Sequence, residues 1–413
     1  MLFAKLQSAT TSDAAIRRRR RLQPAGGAGD KVFPPTYPGE GSRNPPPRHV
    51  FEIRREPSGK NVACVLIDSV QSQANRLEES LREAIADGVS IPHVRVDFAG
   101  SGVDFTPITS LDAPHRLFDA ILRDSANDGV PFMQSAEGVA IQSATSADAS
   151  AILRLSPTAL IFGVWNSTGE GGGLGAKFAR ALTSEINGFD VPVEEITQRL
   201  GDTEIRTLAR RTGSRIDPLG ILRKVEVFKT KTAWDTDQQR LADRSKGDRP
   251  KKVRPSEINH GNITPSVQAL GVTMAYAEHV VVLSLAGLRR ARFGRTDWNA
   301  PARAYLAALA LLAIVEQDAM GYALRSRCDL VPEGYAPFEI VRSDGSTETF
   351  DLDRAGARAL YAEAKDAAES AGIDFAPEPL VLKPQQKLVE IIKRSRELAL
   401  QGEGGEEPVD ADA

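Results

Sequence analysis

The residues with the most chemical potential sit in a few polar clusters. The first is Gly169-Glu170-Gly171-Gly172-Gly173-Leu174-Gly175-Ala176-Lys177. Backbone without Cβ atoms lets N–H groups approach a phosphate closely, and Lys177 and Arg180 would add charge. It is no Walker loop, because Ala176 precedes Lys177 and Phe178 stands where Ser or Thr is needed. Gly171-x-Gly173-x-x-Ala176 fits a loose dinucleotide fingerprint. Three readings stay open: a tight turn, a nucleic-acid phosphate contact through Gly171, Gly172, Gly173, Lys177 and Arg180, and a dinucleotide site.

The second cluster is Arg17, Arg18, Arg19, Arg20 and Arg21, with Lys31 beyond. Adjacent guanidiniums are costly to pack without an anion, and arginine pairs bidentately with phosphate oxygens. A third is Ser69-Val70-Gln71-Ser72-Gln73-Ala74-Asn75-Arg76. Ser69 suits a helix cap, while Gln71, Ser72, Asn75 and Arg76 exceed what capping needs and suit a sugar–phosphate backbone. Arg215 with Asp217, and His260 with Asn262, form a fourth group, for which a structural Arg215–Asp217 contact is the alternative. The fifth is Leu288-Arg289-Arg290-Ala291-Arg292-Phe293. Arginines around an aromatic meet a nucleic-acid strand through charge and stacking. A solvated helix end is its competitor.

Hydrolytic and metal chemistry find little support. There is no Gly-x-Ser-x-Gly elbow. The five histidines are scattered, and the two cysteines, Cys64 and Cys328, make neither a zinc cluster nor a disulfide framework. No catalytic residue, metal site or cofactor is expected.

These clusters need elements to hold them. Residues 61–69 form an apolar run of buried-strand type, and residues 71–87 place Leu77, Leu81 and Ile85 on one helical face. Residues 93–98 alternate as a strand, and residues 114–128 read as a helix carrying Leu117, Ile121 and Leu122. A strand at 158–164 and a helix at 174–187 are expected around the glycine run. Residues 17–47 carry little periodicity beyond the arginines and read as an ordered loop or an arm. Residues 221–228 alternate. Residues 229–262 are long, polar and basic, with Trp234 their single large aromatic side chain apart from His260; such a segment inside a compact domain is functional or mobile. Residues 279–285 are strand-like, and residues 301–324 make a strongly apolar helix with Pro301 in its first turn. Asp344-Gly345 marks a hairpin between 337–342 and 348–352, and helices at 354–371 and 385–400 follow. The pattern suits an α+β fold of ferredoxin or RNA-recognition-motif type with large insertions, against a doubly wound sheet as competitor.

The 413 residues carry a formal net charge of −3, so the chain as a whole is no basic nucleic-acid binder. Its charge is segregated, however, with an all-acidic tail at 402–413. The two cysteines and the lack of an 18-residue apolar run lead to the expectation of a cytoplasmic protein without a membrane partner.

Read in order, RRRLQPAGGAGDKVFPPTYPG, VLIDSVQSQANRLEESL, APHRLFDAILRDS, SPTALIFGVWNSTGEGGGLGAKFARAL, SRIDPLGI, PSEINHGNI, VVVLSLAGLRRARF, LRSRCDLVPE and KLVEIIKRSREL form a series. It resembles the type I-G (formerly type I-U) CRISPR-associated RAMP-superfamily proteins, the Cas-seven backbone subunits, from about residue 17 to 398. The resemblance implies a palm like an RNA-recognition motif with inserted finger and thumb elements. It sets residues 1–16 apart as a leader, 17–400 as one domain with insertions, and 401–413 as a tail. The implied work is to hold CRISPR RNA along several copies for pairing with target DNA. Implied partners are other copies of the chain, a fused Cas-five/Cas-six protein, a large subunit and a recruited Cas-three nuclease-helicase. Placing the thumb at 229–262 follows from composition alone. A metal-dependent RNA-cleaving subunit using Asp30, and a dinucleotide-binding protein, are the alternatives.

Overall fold

The computed structural model describes residues 2–39, 47–55, 58–166, 176–192, 210–211, 218–245, 248–262, 267–268, 270–376 and 379–400. The chain divides into two compact units, residues 1–207 with 271–385, and residues 208–270 with 386–413. It is mixed α and β, and its main sheet curls into a half-barrel.

The first unit is built on that nine-stranded sheet. Its main path runs Tyr322–Arg325, Cys328–Pro332, Ala15–Pro24, Tyr276–Ser284, Leu182–Phe189, Asn61–Asp68, Phe51–Arg55. The hairpin Phe338–Val341 and Thr347–Phe350 joins at Ala15–Arg17. Every pairing in it is antiparallel. That removes the doubly wound competitor, which needs parallel strands with crossover helices.

One sheet face packs on helices. Asn299–Met320 is the central helix, contacted by Leu2–Ser12, Val70–Ala86 and Arg354–Ser370. It is long and apolar enough to cross a membrane by composition, but residues from Ala304 through Gln317 are all buried within the protein. Leu22, Ile67, Ile186 and Ala277 supply the sheet's side of the core. Alternation selects them, since successive strand residues point to opposite faces. Residues 2–12 form a helix of this unit, with Leu6 and Ala9 buried.

Many expected elements stand: Asn61–Asp68, Val70–Ala86, Val94–Val96, Tyr276–Ser284, Asn299–Met320, the Asp344-Gly345 hairpin, Arg354–Ser370 and Gln386–Leu400. Others are corrected. Residues 17–21 are neither loop nor arm but lie in the ten-residue strand Ala15–Pro24. The expected strand at 158–164 is a helical turn, Thr158–Phe162, closed by Gly163 at φ 84° before the short strand Val164–Trp165. The expected helix at 174–187 is instead the strands Lys177–Phe178 and Leu182–Phe189. Leu182, Ser184 and Ile186 alternate with Thr183, Glu185 and Asn187 between two strands, and pairing outweighs local helix preference. The expected helix at 114–128 breaks into a 3-10 turn, one α-turn and the strand Ser125–Asn127.

In the second unit, Val227–Lys229, Trp234–Asp235 and Lys251–Val253 form a small antiparallel sheet. Helix Gln238–Arg244, capped by Asp237, buries Leu241. Residues 229–262 fall in this unit.

Candidate nucleic-acid interface

The arginine run is split by its strand. Arg18 and Arg20 point with Ile16 and Leu22 toward the helices, while Arg17, Arg19 and Arg21 point to the other face. Both inward arginines meet Asp318 of the central helix. Arg18 makes a two-pronged contact, with Nη2 at 2.8 Å from Oδ1, and Arg20 Nη1 lies 2.9 Å from the same oxygen. The Tyr322 hydroxyl donates to Asp318 at 2.8 Å. His279 links onward to Tyr322 at 3.1 Å and to Ser184 at 2.6 Å. Burial, and then the Arg18 guanidinium, pushes His279 down to about 3, so it stays neutral.

On the other face, Arg17 donates to Glu339 at 2.6 Å and Arg19 to Glu278 at 2.8 Å. Arg21 lies over the Tyr276 ring at 4.2 Å. Hydrogen bonding to Glu278 raises Arg19 above its ordinary value. The anions that this run requires are therefore largely the protein's own carboxylates. Four of the five side chains are in internal ion pairs; Arg21 has no carboxylate partner among the described residues.

The helix start at 69–76 is also turned inward in part. Ser69 caps it as expected. Ser72 donates to Asp68 at 2.8 Å, and Arg76 donates to the same carboxylate at 2.9 Å. Gln73 and Arg325 add two more partners, at 2.6 and 2.7 Å. Gln71 and Asn75, one helical turn apart, remain exposed. Lys31 precedes the bridge residue Val32, which pairs with Val272.

A different set of cations is brought together. Trp165 pairs with Lys177 and Val164 with Phe178 in a two-stranded ladder, and Asn166 N–H donates to Ala176 at 2.9 Å. The glycine-rich segment joins these strands. Gly171, Gly172 and Gly173 themselves lie outside the described residues. The element after the segment is a strand, so the strand–loop–helix context of a dinucleotide fingerprint is absent here. Just beyond, Lys177 and Arg180 line a cavity of about 360 Å³ with Arg290, Ser146 and Ser284. Among the described residues, no carboxylate lines it. Two sequence clusters more than a hundred residues apart thus meet at one site.

None of its three cations is in an ion pair among the described residues, although buried Glu78 lies near enough to Arg180 to favour its charge. Arg180 Nε donates to the Phe162 carbonyl at 3.1 Å, which fixes the side chain without neutralising it. Below it, Arg116 is held two-pronged by buried Glu78 at 2.6 and 2.7 Å and donates to the Gly163 carbonyl at 3.0 Å. Burial, then the Arg116 charge, pushes Arg180 below its ordinary value, the opposite of ion-paired Arg19. Arg303 behaves alike, lowered by burial and then by Arg289 and Arg292. Lys177 Nζ sits 4.6 Å from the centre of the Trp165 ring. Arg290 and Arg292 are exposed, and neither guanidinium has a partner among the described residues. Arg289 differs: it bonds the carbonyls of Thr10 and Asp13 at 3.2 and 2.8 Å and serves the fold.

In the second unit, His260 stands edge-on to Trp234 with ring centres 5.8 Å apart, and Asn262 is exposed. Arg215 lies outside the described residues. Sequence reasoning missed Trp165, half exposed one position before Asn166 and the glycine-rich stretch. It also missed Asp318, which with Glu316 is one of two carboxylates at the end of a mostly apolar helix; that pair was the signal available.

Residues 16–193 match a family model described as CRISPR-associated protein GSU0053. The match supports a CRISPR-associated protein with a role in CRISPR defence. It covers rather less than half of the chain and takes in the arginine strand, the capped helix, Lys177 and Arg180, but not Arg290. No curated protein matches the chain. Partnership in a CRISPR complex is consistent with the family.

Proposed function

We propose that this CRISPR-associated protein is a non-catalytic, RNA-holding backbone subunit of a type I surveillance complex, of the type I-G Cas-seven kind. The antiparallel sheet with its helices would serve as the RNA-recognition-motif-like palm, and the basic segment 229–262 as the thumb. Copies of the chain would line up along one CRISPR RNA in the cytoplasm, beside a fused Cas-five/Cas-six protein, a large subunit and a recruited Cas-three nuclease-helicase. Base pairing reads sequence in such a complex, so the protein needs only to grip backbone and shape.

The observation that carries this reading is the cavity that brings Lys177, Arg180 and Arg290 together, with no carboxylate among the described residues lining it. A cluster of cations without ion pairs among the described residues, in a chain of net charge −3, supports a polyanion site there. The reading shifts the main RNA contact from the arginine strand, where carboxylates already occupy most guanidiniums, to this cavity. Gln71, Asn75 and Arg21 remain available as further contacts.

The test is affinity for single-stranded RNA across a salt series. Each phosphate neutralised adds about −0.7 to the logarithmic slope. Lys177→Ala and Arg290→Ala should each flatten the slope by about that much, uniformly across RNA sequences. Binding insensitive to salt, or unchanged slopes in both variants, would contradict the assignment.

A further inference from the structure

Trp165 and the cavity beside it carry a more specific inference, which rests on the RNA-holding function above. Trp165 is 51% exposed, on the two-residue strand Val164–Trp165. Among the described residues its ring has one partner, the Lys177 ammonium. Large aromatic surface left in water is costly, and an indole is the best stacking platform among side chains for a nucleobase. Lys177 is both the cross-strand neighbour of Trp165 and a wall of the cavity that contains Arg180 and Arg290. A π-surface and an anion site are thus adjacent and share one side chain.

We propose that this corner binds one nucleotide unit of single-stranded RNA, with a phosphate held by Lys177, Arg180 and Arg290 and the neighbouring base stacked on Trp165. The stacking tolerates any base, since every base presents a π-face. Arg180 enters with its position already set, because Phe162 fixes its Nε and the Glu78–Arg116 pair supports the turn beneath. Gly163 makes that geometry possible: a Cβ there would lie 3.0 Å from the Arg180 backbone nitrogen.

The experiment compares the full chain with Trp165→Ala and Trp165→Phe at one salt concentration. The probes are oligouridylate, oligoadenylate and an abasic ribose-phosphate oligomer of equal length and charge. Trp165→Ala should weaken binding of both base-bearing oligomers about 5-fold or more, and leave the abasic oligomer and the salt slope unchanged. Trp165→Phe should recover much of the loss. Equal loss on the abasic oligomer, no loss on any probe, or an altered self-association with RNA affinity intact would each overturn the stacking role. In those cases salt-dependent binding by the wild type keeps the RNA-holding reading alive. A wild type that binds none of the probes would remove both.

Discussion

Arg18 and Arg19 are neighbours in sequence and opposites in structure, so changing each to alanine should give very different results. Arg18 is 3% exposed and shares Asp318 with Arg20. Removing one partner of a buried pair costs about 3–5 kcal/mol, because the remaining charge is left uncompensated. Arg20 still reaches Asp318 and keeps part of the compensation, so the lower end, about 3 kcal/mol, applies to Arg18→Ala. The loss of the Arg18 contact with the Phe338 ring, 4.9 Å away, acts in the same direction. Arg19 is 63% exposed on its side chain, and its contact with Glu278 is screened by water, so Arg19→Ala should cost less than about 1 kcal/mol. Urea unfolding followed by circular dichroism measures both. With a slope of about 3 kcal/mol per molar, Arg18→Ala should lower the midpoint by about 1 M and Arg19→Ala by a third of that or less. Equal midpoints for the two variants, or a larger loss from Arg19→Ala, would refute the splitting of the run between two faces.

Buried neutral histidines make stability depend on pH. His279 is pushed down to about 3, whereas the unfolded chain protonates it near 6.5. The unfolded state then binds more protons between those values, so stability is complete above about pH 6.5 and falls as pH drops, by up to about 1.4 kcal/mol per unit. His49 and His93, lowered mainly by burial, act in the same direction. Urea midpoints from pH 7.5 to 5 should therefore decline, and a flat profile would count against the buried neutral imidazole. Gly163→Ala forces an alanine to φ 84° against the Arg180 backbone, whereas Gly129→Ala meets the same strain at φ 82° with nothing within 4 Å. Both should lose about 1 kcal/mol or more in stability. Only Gly163→Ala should also weaken RNA binding, measured by filter retention; equal RNA affinities would detach Gly163 from the site.

The parts of the fold that were legible in sequence are those in which local pattern and tertiary environment agree. Val70–Ala86 shows its helical face and its Ser69 cap, and the apolar composition of the central helix announces its burial. Residues 182–189 misled because helix-compatible side chains sit between two strands that dictate pairing. The arginine run misled for a related reason. Its need for anions was legible, but not their source, since Asp318, Glu278 and Glu339 lie more than 250 residues away along the chain. Of the candidate site, Lys177, Arg180 and Arg290 were visible as separate motifs. Their meeting was not, because it depends on the register that sets Leu182–Phe189 beside Tyr276–Ser284.

The central claim is that the protein forms an array along a guide and leaves it intact. Head-to-tail contacts between copies generate an open array whose length the RNA sets. The most direct measurement is native mass spectrometry of the protein mixed with guide RNAs of increasing length, in the presence of magnesium. The account predicts that bound mass rises in steps of one chain as the guide lengthens, with the RNA uncut. A mass independent of guide length would contradict the backbone function, and cuts at regular spacing that vanish in Asp30→Ala would make the protein a nuclease subunit instead.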